Sequence, residues 1–595
     1  MSDSEEQLEF DENTKVSIQQ IDDYLQLLYD DDFAKKVQGS FLIMQVSREP
    51  DNLEYLIGNE HLLNALGREL KDEGRKSMEL MINILYVFYS FSHFSQFHSI
   101  ITKFKVGVIV MKTIDYEEKR FNELMKELKA KNVNQDRLNL MLQKQEKLLY
   151  VCFHILLNLA ENIEIEIKMK EKKIIPSLCR IVQYRTNPDL LILAITFLKK
   201  LSIFQENKDE MTEEGLVQNL LQFIPHENDQ LLTVSLKLLL NLTFDINVRA
   251  YLAKNALPQL LQLLGNLEHF SIVIKILYHL TTDEAGRNLP SFSEIIPILM
   301  ELVIEFPAAT VDKELMALVI NLSTVPRNSE LMGTTNNAVS RIIERCLKSR
   351  DNLLCKLMRN ITRHEKLKNT VRKYLPEIMG LCTKIDDTDV LVELLGVVGN
   401  LGSSAGPQQG QYLQIFKKFK MTDFLIKNLK NGGEQVEDDV LLEVIILVGT
   451  LCADKECAQM LSQANIVPSL CSIFLNKYSD EEMVLQCLFS FSQFMLYEST
   501  KKQFLTNKQA ITVVISMLMT RNDIIRKMTD TVLDYISESS PEWAKIIRLR
   551  KFQLYNAAWI RAVEEEDGKD NDQGDSDDYL RSSVDSDDLR VWTAD

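Results

Sequence analysis

The apolar positions of this chain follow the period of an α-helix. Within residues 231–242, one stripe is spaced by three or four residues and comprises Leu231, Val234, Leu238 and Leu242. A second apolar stripe, which includes Leu232, Leu236 and Leu239, runs along the same segment. A helix that is apolar on two faces is packed between neighbours. The pattern therefore predicts helices stacked side by side.

One short phrase recurs along the chain: an apolar residue, any residue, Asn, an apolar residue and a small residue. The complete copies are centred on Asn158, Asn241, Asn321, Asn360 and Asn400. Degenerate copies place another residue at the Asn position, namely Gln45, Ser90, Lys200, His279, Thr450, Gln493 and Asp534. Most steps between these twelve marker positions are 38–45 residues, and two, of 68 and 50 residues, indicate insertions.

A set of prolines has the same period. Each lies 16–18 residues after a marker position; they are Pro176, Pro258, Pro297, Pro376 and Pro468. Proline is tolerated in the first turn of a helix, because backbone N–H groups there have no acceptor within the helix and the absence of one costs no hydrogen bond. These prolines are therefore expected to open a helix in each of their repeats.

A repeat of about 40 residues built from helices cannot bury its apolar faces alone, so neighbouring repeats must stack. The sequence predicts an all-α fold, a right-handed α-solenoid of about twelve repeats. The opening prolines and the recurring Asn favour the armadillo type over the HEAT type. We predict that the armadillo-repeat domain covers residues 21–563.

The charge is concentrated at the two ends. The formal net charge is −18. Residues 1–32 hold eleven Asp or Glu and one Lys, and residues 564–595 hold thirteen Asp or Glu and three Lys or Arg, so each end carries −10. The remaining residues, 33–563, then carry −18 + 20 = +2. We predict acidic disordered segments at 1–20 and 564–595, and no affinity for nucleic acid at the acidic ends.

The longer step between the second and third repeats contains a charged insertion, residues 115–148. It has no Pro or Gly, which predicts one or two extended helices. Two interpretations remain open: a solvated helix or a partner-binding arm.

No motif for catalysis or for metal or cofactor binding is present. The nine cysteines include no C-x-x-C pair, and the eight histidines include no pair four residues apart. Most cysteines lie in apolar runs, which is typical of buried free thiols in a reducing compartment. No signal peptide or membrane-spanning stretch is visible. We predict a non-enzyme without cofactor, metal site or membrane insertion.

The recurring Asn is a candidate binding feature because Asn disfavours the helix interior. Either the amide caps neighbouring backbone, or it clamps an extended or helical partner in the concave groove; the two are compatible. Lysines, together with Arg359, lie close to the marker positions and predict a basic groove for an acidic or phosphorylated partner. The alternative is that they only keep the surface soluble. The predicted partner-binding residues are Asn158, Lys199, Lys200, Lys237, Asn241, Lys275, Asn321, Lys356, Asn360 and Asn400.

Five stretches of the sequence resemble stretches of one protein family, and they occur in the same order along the chain as in that family. They are Asp23–Tyr29 with Lys36–Ser40 and Pro50–Glu54, then Phe94–His98, then Leu198–Phe204 with Glu206–Lys208, then Leu442–Thr450, and finally Glu542–Ile546 with Lys551, Phe552, Asn556 and Trp559. The chain resembles the kinesin-associated proteins, the non-motor armadillo-repeat subunits of heterotrimeric kinesin-II.

The resemblance implies a non-catalytic adaptor. It would bind the tails of the two motor chains, as one monomer within the heterotrimer. It would link them to cargo, including intraflagellar transport proteins, in the cytoplasm and at the cilium or flagellum and its basal body. The alternative is another armadillo scaffold, of the adhesion or nuclear-transport type. A reader of basic import signals is disfavoured because no Trp lies one turn before a marker position.

Overall fold

The computed structural model describes residues 16–128, 135–308, 310–334, 337–402, 409–433 and 436–557. These residues form 36 α-helices joined by turns and short 3-10 segments, and no strand occurs among them. The prediction of an all-α fold is confirmed. The chain divides into two compact units. The first comprises residues up to 299 together with 311–328, and the second comprises 300–310 together with the residues from 329 onward.

The first twenty helices are numbered in chain order. They are α1 (Ile21–Leu27), α2 (Phe33–Val46), α3 (Leu53–Gly58), α4 (Glu60–Asp72), α5 (Met78–Ser92), α6 (His98–Lys103), α7 (Val106–Leu128), α8 (Gln135–Leu159), α9 (Ile163–Glu171), α10 (Ile174–Tyr184), α11 (Pro188–Leu201), α12 (Gln205–Glu213), α13 (Leu216–Leu220), α14 (Asp229–Leu242), α15 (Ile246–Asn255), α16 (Leu257–Gln262), α17 (Phe270–Leu280), α18 (Glu284–Arg287), α19 (Pro290–Ile304) and α20 (Lys313–Ser323).

The remaining helices continue the same numbering. They are α21 (Pro326–Thr334), α22 (Ala338–Ser349), α23 (Asn352–Ile361), α24 (Glu365–Arg372), α25 (Leu375–Cys382), α26 (Thr388–Gly402), α27 (Gln409–Lys418), α28 (Met421–Leu429), α29 (Asp438–Leu451), α30 (Lys455–Gln463), α31 (Ile466–Asn476), α32 (Glu481–Phe494), α33 (Glu498–Leu505), α34 (Lys508–Ser516), α35 (Asp523–Ser539) and α36 (Pro541–Tyr555).

All twelve marker positions lie in helices that we call the ladder helices. The ladder helices are α2, α5, α8, α11, α14, α17 and α20 in the first unit and α23, α26, α29, α32 and α35 in the second. Within each unit, every ladder helix packs against the next one along the chain. This regular stacking of one helix per repeat is what the sequence period predicts.

Helix α14 shows why these segments form ladder helices. Asn228 precedes it and accepts a hydrogen bond from the backbone N–H of Leu231, which satisfies one of the free donors of the first turn. The two apolar stripes predicted from the sequence are buried except at Val234, which is half-buried. Leu231, Leu232, Leu236, Leu238, Leu239 and Leu242 are each at most 3% exposed. Neighbouring ladder helices therefore cover α14 on two sides.

The prolines follow the prediction with one exception. Pro176, Pro258, Pro376 and Pro468 lie at the second or third residue of α10, α16, α25 and α31. Pro297 lies inside α19, because the preceding helix α18 has four residues and α19 already begins at Pro290.

The charged insertion lengthens two packed helices. Residues 115–128 belong to α7 and residues 135–148 to α8, and these helices pack against each other. Gln145 Nε2 donates to the Glu117 carboxylate at 2.8 Å, and both residues are buried. Arg185 donates to Gln145 Oε1 at 2.7 Å and lies over the Phe121 ring. The inner face of the insertion is thus a buried polar network rather than a solvated surface.

The two acidic ends lie largely outside the described residues. Of the segment predicted to be disordered at 1–20, residues 16–20 are described and residues 18–20 form a 3-10 turn. The acidic segment 564–595 lies wholly outside the described residues.

Candidate partner-binding face

The marker side chains join neighbouring ladder helices within each unit. In the first unit, Asn241 Nδ2 donates to Ser202 Oγ at 2.8 Å and to the Lys199 carbonyl at 3.4 Å. In the second unit, Asn400 Nδ2 donates to the Arg359 carbonyl at 3.0 Å. Each amide therefore binds the end of the preceding ladder helix, where carbonyl groups have no partner within their own helix.

The small residue of the recurring phrase is the second half of this contact. Four marker amides donate to a hydroxyl of the preceding ladder helix: Asn158 to Ser92 (2.9 Å), Asn241 to Ser202 (2.8 Å), Asn321 to Thr281 (3.2 Å) and Asn400 to Thr362 (3.1 Å). Each hydroxyl donates in turn to the carbonyl three residues before it. The phrase thus encodes a relay from amide to hydroxyl to carbonyl that is repeated between neighbouring helices.

Two of the degenerate markers, His279 and Lys200, make the same kind of contact with other chemical groups. His279 Nδ1 lies 2.7 Å from Thr243 Oγ1, and burial together with Arg249 lowers the pKa of His279. Ala160, two residues after the marker Asn158, has no hydroxyl group. The next marker, Lys200, instead donates from Nζ to the carbonyl of Leu157 at 3.4 Å. At these positions the marker side chain bonds one helix to the next, as the capping interpretation expects. The partner-clamping interpretation stays a prediction.

The predicted lysines differ in their surroundings. Lys199 and Lys200 on α11 and Lys237 on α14 lie on neighbouring helices of the first unit, and none forms a salt bridge within the described residues. Lys275 on α17 lies 3.4 Å from Glu314. Lys356 on α23 is exposed in the second unit. The first unit therefore carries a local group of three lysines without a salt bridge, of which Lys200 donates to the Leu157 carbonyl.

The marker asparagines are less accessible than the lysines. Asn158, Asn241, Asn321 and Asn400 are half-buried, and Asn360 is buried. Their donor groups face the neighbouring helix in every contact described above.

Arg359, which the sequence suggests as an additional basic groove residue, is neutralised by two carboxylates of the second unit. It forms salt bridges with Glu443 on α29 and with Glu393 on α26, the latter at 3.3 Å. Burial raises the pKa of Glu443 against the opposing effect of Arg359. Burial alone would lower the pKa of Arg359, but the two carboxylates outweigh it and raise the pKa. The guanidinium is therefore a link between helices and not a free binding group.

Gly396 leaves space for the side chain of Arg359. A Cβ atom at Gly396 would lie 2.6 Å from the guanidinium carbon of Arg359. The absence of a side chain lets Arg359 cross α26 and reach Glu443 on the helix beyond. This role is not visible in the sequence, because Arg359 and Glu443 are two repeats apart.

A group of aromatic side chains lies on α5 and α8 and was missed by the sequence analysis. The Tyr89 ring packs at 4.5 Å from the His93 ring and at 5.2 Å from the His154 ring, and Tyr150 packs at 4.7 Å from His154. Burial, with a smaller contribution from His93, lowers the pKa of His154 to about 4. His154 lies one turn before a marker position, and that spacing is the sequence signal that could have found the group.

Other chemistry is sparse in the part of the chain that the structure describes. No group of three or more His, Cys, Asp or Glu there could hold a metal ion. The nine cysteines are free and buried, and burial raises the pKa of Cys382 to about 12, so its thiolate is disfavoured. No described helix is long and apolar enough to cross a membrane.

Comparison with known proteins identifies the family. The family model described as Kinesin-associated protein (KAP) matches residues 1–590. The chain belongs to this family. The match covers the helical repeats, the first acidic end and the second acidic end as far as residue 590.

Solved structures support the fold. A chain from a study of the phosphorylation switch that controls the interaction between cadherin and beta-catenin superposes with a TM-score of 0.60 at 13% identity, covering 87% of this chain and 99% of that one. At this identity the likeness shows the fold alone. A second match, an engineered protein with a TM-score of 0.29, is too distant to carry an argument.

Family membership and fold together define the coarse function. The chain is a kinesin-associated adaptor of the armadillo type. Members of this family associate with kinesin motor subunits, which links the chain to microtubules in the cytoplasm.

Proposed function

We propose that this chain is the non-catalytic adaptor subunit of heterotrimeric kinesin-II. In this role it binds the tails of the two motor chains and links them to cargo, including intraflagellar transport proteins, during microtubule-based movement. It works as one copy per heterotrimer, in the cytoplasm and at the cilium or flagellum and its basal body. The observation that carries the proposal is the family match across residues 1–590.

The lysines of the ladder helices are the proposed contacts for an acidic segment of a partner. In the first unit, Lys199 and Lys237 form no salt bridge within the described residues, whereas Lys200 donates to the Leu157 carbonyl and interacts electrostatically with Glu166. An exposed ammonium group can pair with a partner's carboxylate without first breaking an internal salt bridge. Lys275 contributes less, because Glu314 already lies 3.4 Å away.

Co-purification tests the proposed identity of the partners. Epitope-tagged protein isolated from ciliated cells should recover both kinesin-II motor chains in equal amounts. Recovery of cadherin or of nuclear import factors without motor chains would favour the alternative armadillo scaffold. Absence of motor chains from every preparation would refute the proposal.

Charge reversal tests the proposed face. The double variant Lys237→Glu/Lys356→Glu should weaken motor-chain binding by about tenfold at low salt, since each reversal replaces an attraction by a repulsion. Both side chains are exposed, so the thermal midpoint should change by less than about 2 °C. Lys254→Glu, at the exposed end of α15, is the matched control and should bind normally. A large fall in the midpoint would show that these lysines are structural.

A further inference from the structure

Two cysteine side chains are in contact where α22 packs against α23 in the second unit. Cys346 Sγ lies 2.8 Å from Cys355 Sγ, and both thiols are free. Cys346 is 1% exposed and Cys355 is 0% exposed. A disulfide bond is about 2.05 Å long, so the two sulfur atoms are within about 0.8 Å of bonding distance.

The backbone of the corner between the helices holds this contact in place. Only Arg350 and Asp351 join the end of α22 to the start of α23. The Arg350 N–H donates to the Cys346 carbonyl at 2.8 Å, and the Cys355 N–H donates to the Asp351 carbonyl at 3.0 Å. Each cysteine is thus bonded through its own backbone to the two-residue link. Small side-chain rotations are therefore sufficient to bring the sulfur atoms together.

Helix α23 is a ladder helix, so a covalent bond at its first turn would act on the repeat stack. Arg359 lies one turn after Cys355 on α23 and forms the salt bridges to α26 and α29. Lys356, which belongs to the proposed partner-binding face, is the residue next to Cys355. A disulfide would tie this part of the ladder helix to α22, which packs beside it.

The surroundings keep the pair in its thiol form while the corner is closed. The bond with Cys346 and burial raise the pKa of Cys355, and the carboxylates of Asp351 and Glu393 act in the same direction. The thiolate is the form that reacts with oxidants. Reaction therefore requires a local opening of the corner, and a small oxidant needs the smallest opening. Hydrogen peroxide is such an oxidant.

The chemistry balances with one peroxide molecule. One cysteine, as the thiolate, attacks a peroxide oxygen; the O–O bond breaks, the sulfur is oxidised to a sulfenic acid, and the other oxygen takes up a proton and leaves as water. The second thiol then attacks the sulfenic sulfur, the S–O bond breaks, and a second water leaves as the S–S bond forms. Two thiols and one peroxide thus give one disulfide and two waters. The contact between the sulfur atoms favours the second step over further oxidation.

We propose that Cys346 and Cys355 are a redox-sensitive pair, which peroxide converts into a reversible disulfide that links α22 to the ladder helix α23 and stiffens the corner between them. Disulfides in the cytoplasm are usually transient and serve redox sensing. The inference goes beyond the proposed adaptor function and does not depend on it.

Peptide mapping of the full chain tests the bond directly. The reduced protein, freed of reductant, is treated with hydrogen peroxide, alkylated in denaturant and digested with trypsin. Cleavage after Lys348 and Arg350 separates residues 346–348 from residues 351–356. The disulfide should therefore appear in mass spectrometry as these two peptides joined with the loss of two hydrogens, and dithiothreitol should release both.

Cys152 is the matched control for selectivity. It is 0% exposed on α8, and it makes no contact with a second cysteine among the described residues. At a peroxide dose that oxidises half of the Cys346–Cys355 pair, at least nine tenths of Cys152 should remain available for alkylation.

Hydrogen exchange measures the effect on the fold. Peptides from residues 338–361 should exchange at least threefold more slowly after peroxide treatment, because the disulfide restricts the opened corner. Dithiothreitol should restore the original rate, and peptides from the first unit should be unchanged. Cys355→Ala should lose both the linked peptide and the slower exchange, whereas Cys152→Ala should keep both. The comparison before and after dithiothreitol needs no substitution, so it decides the matter even if Cys355→Ala does not fold.

The proposal fails if no linked peptide forms at any peroxide dose, or if Cys152 is oxidised as readily as the pair. It fails equally if the linked peptide forms and the exchange of residues 338–361 is unaltered, since the bond would then not stiffen the corner.

Discussion

Removal of one marker amide should loosen a single junction between two repeats. In Asn241→Ala, the end of α11 loses the hydrogen bonds from Nδ2 to Ser202 Oγ (2.8 Å) and to the Lys199 carbonyl (3.4 Å). A hydrogen bond contributes about 0.5–1.5 kcal/mol net. The short bond should lie near the upper end of that range and the long one near the lower end. Alanine has the higher helix propensity, which returns about 0.5 kcal/mol. The expected net loss is about 1–1.5 kcal/mol.

The loss should be local, because each repeat contacts its neighbours and not the whole array. Native-state hydrogen exchange read by mass spectrometry is therefore the suitable assay. Peptides that cover the end of α11 and the end of α14 should exchange roughly five- to tenfold faster, since 1.4 kcal/mol corresponds to a factor of ten. Peptides from the second unit should be unchanged.

Asn255→Ala is the matched control for this experiment. Asn255 is exposed and its amide donates within its own helix, to the Tyr251 carbonyl. If Asn241→Ala accelerated exchange no more than Asn255→Ala, the relay would not hold the repeats together. A double-mutant cycle with Ser202→Ala should show coupling between the two side chains.

Two further perturbations follow from the described contacts. Gly396→Ala should lower the free energy of unfolding of the second unit by about 2 kcal/mol in denaturant unfolding, because the new Cβ displaces Arg359 from Glu443. Gly399→Ala is the control, because its Cβ would lie 3.7 Å from Leu447, an ordinary van der Waals contact, and alanine has the higher helix propensity. Gly399→Ala should therefore cost no stability, and equal losses in both variants would refute the role given to Gly396. The pKa of His154 is lowered by burial from 6.5 to about 4, so the fold holds it neutral. The stability it contributes is full above pH 6.5 and is lost as the pH falls toward 4. His154→Gln should shrink that acid-side loss, measured by thermal unfolding between pH 7 and 4; an unchanged loss would show that His154 is not involved.

Much of the fold could be predicted because it follows from the local spacing of apolar residues, and this spacing recurs in each repeat. The apolar spacing of residues 231–242 defined a helix with two buried faces, and the marker positions placed all twelve ladder helices. The prediction that Pro297 opens a helix was wrong, because the preceding helix α18 is short and α19 already begins at Pro290. The buried face of the insertion was not predicted either, since its charged side chains bond to one another and not to water.

The candidate face was predicted less completely. The lysines were found because they share a period with the markers, but a sequence does not show which cations are already paired. Arg359 counted as a free cation until the structure placed it against Glu443. The exposure of Ile203 and Phe244, which follow α11 and α14, was not predicted, because whether these side chains are covered depends on the neighbouring repeat.

The sequence by itself determined the helical repeat, its number and the residues that mark it, because helix periodicity and helix packing follow from local spacing. The tertiary structure decided what those residues do. Stacking brings residues about forty positions apart within hydrogen-bond distance, which turns the marker amides into links between repeats. It also leaves Lys199 and Lys237 without a salt bridge in the described residues while neutralising Arg359. Charge pairing and exposure depend on distances between repeats, and such distances are fixed only once the helices are stacked.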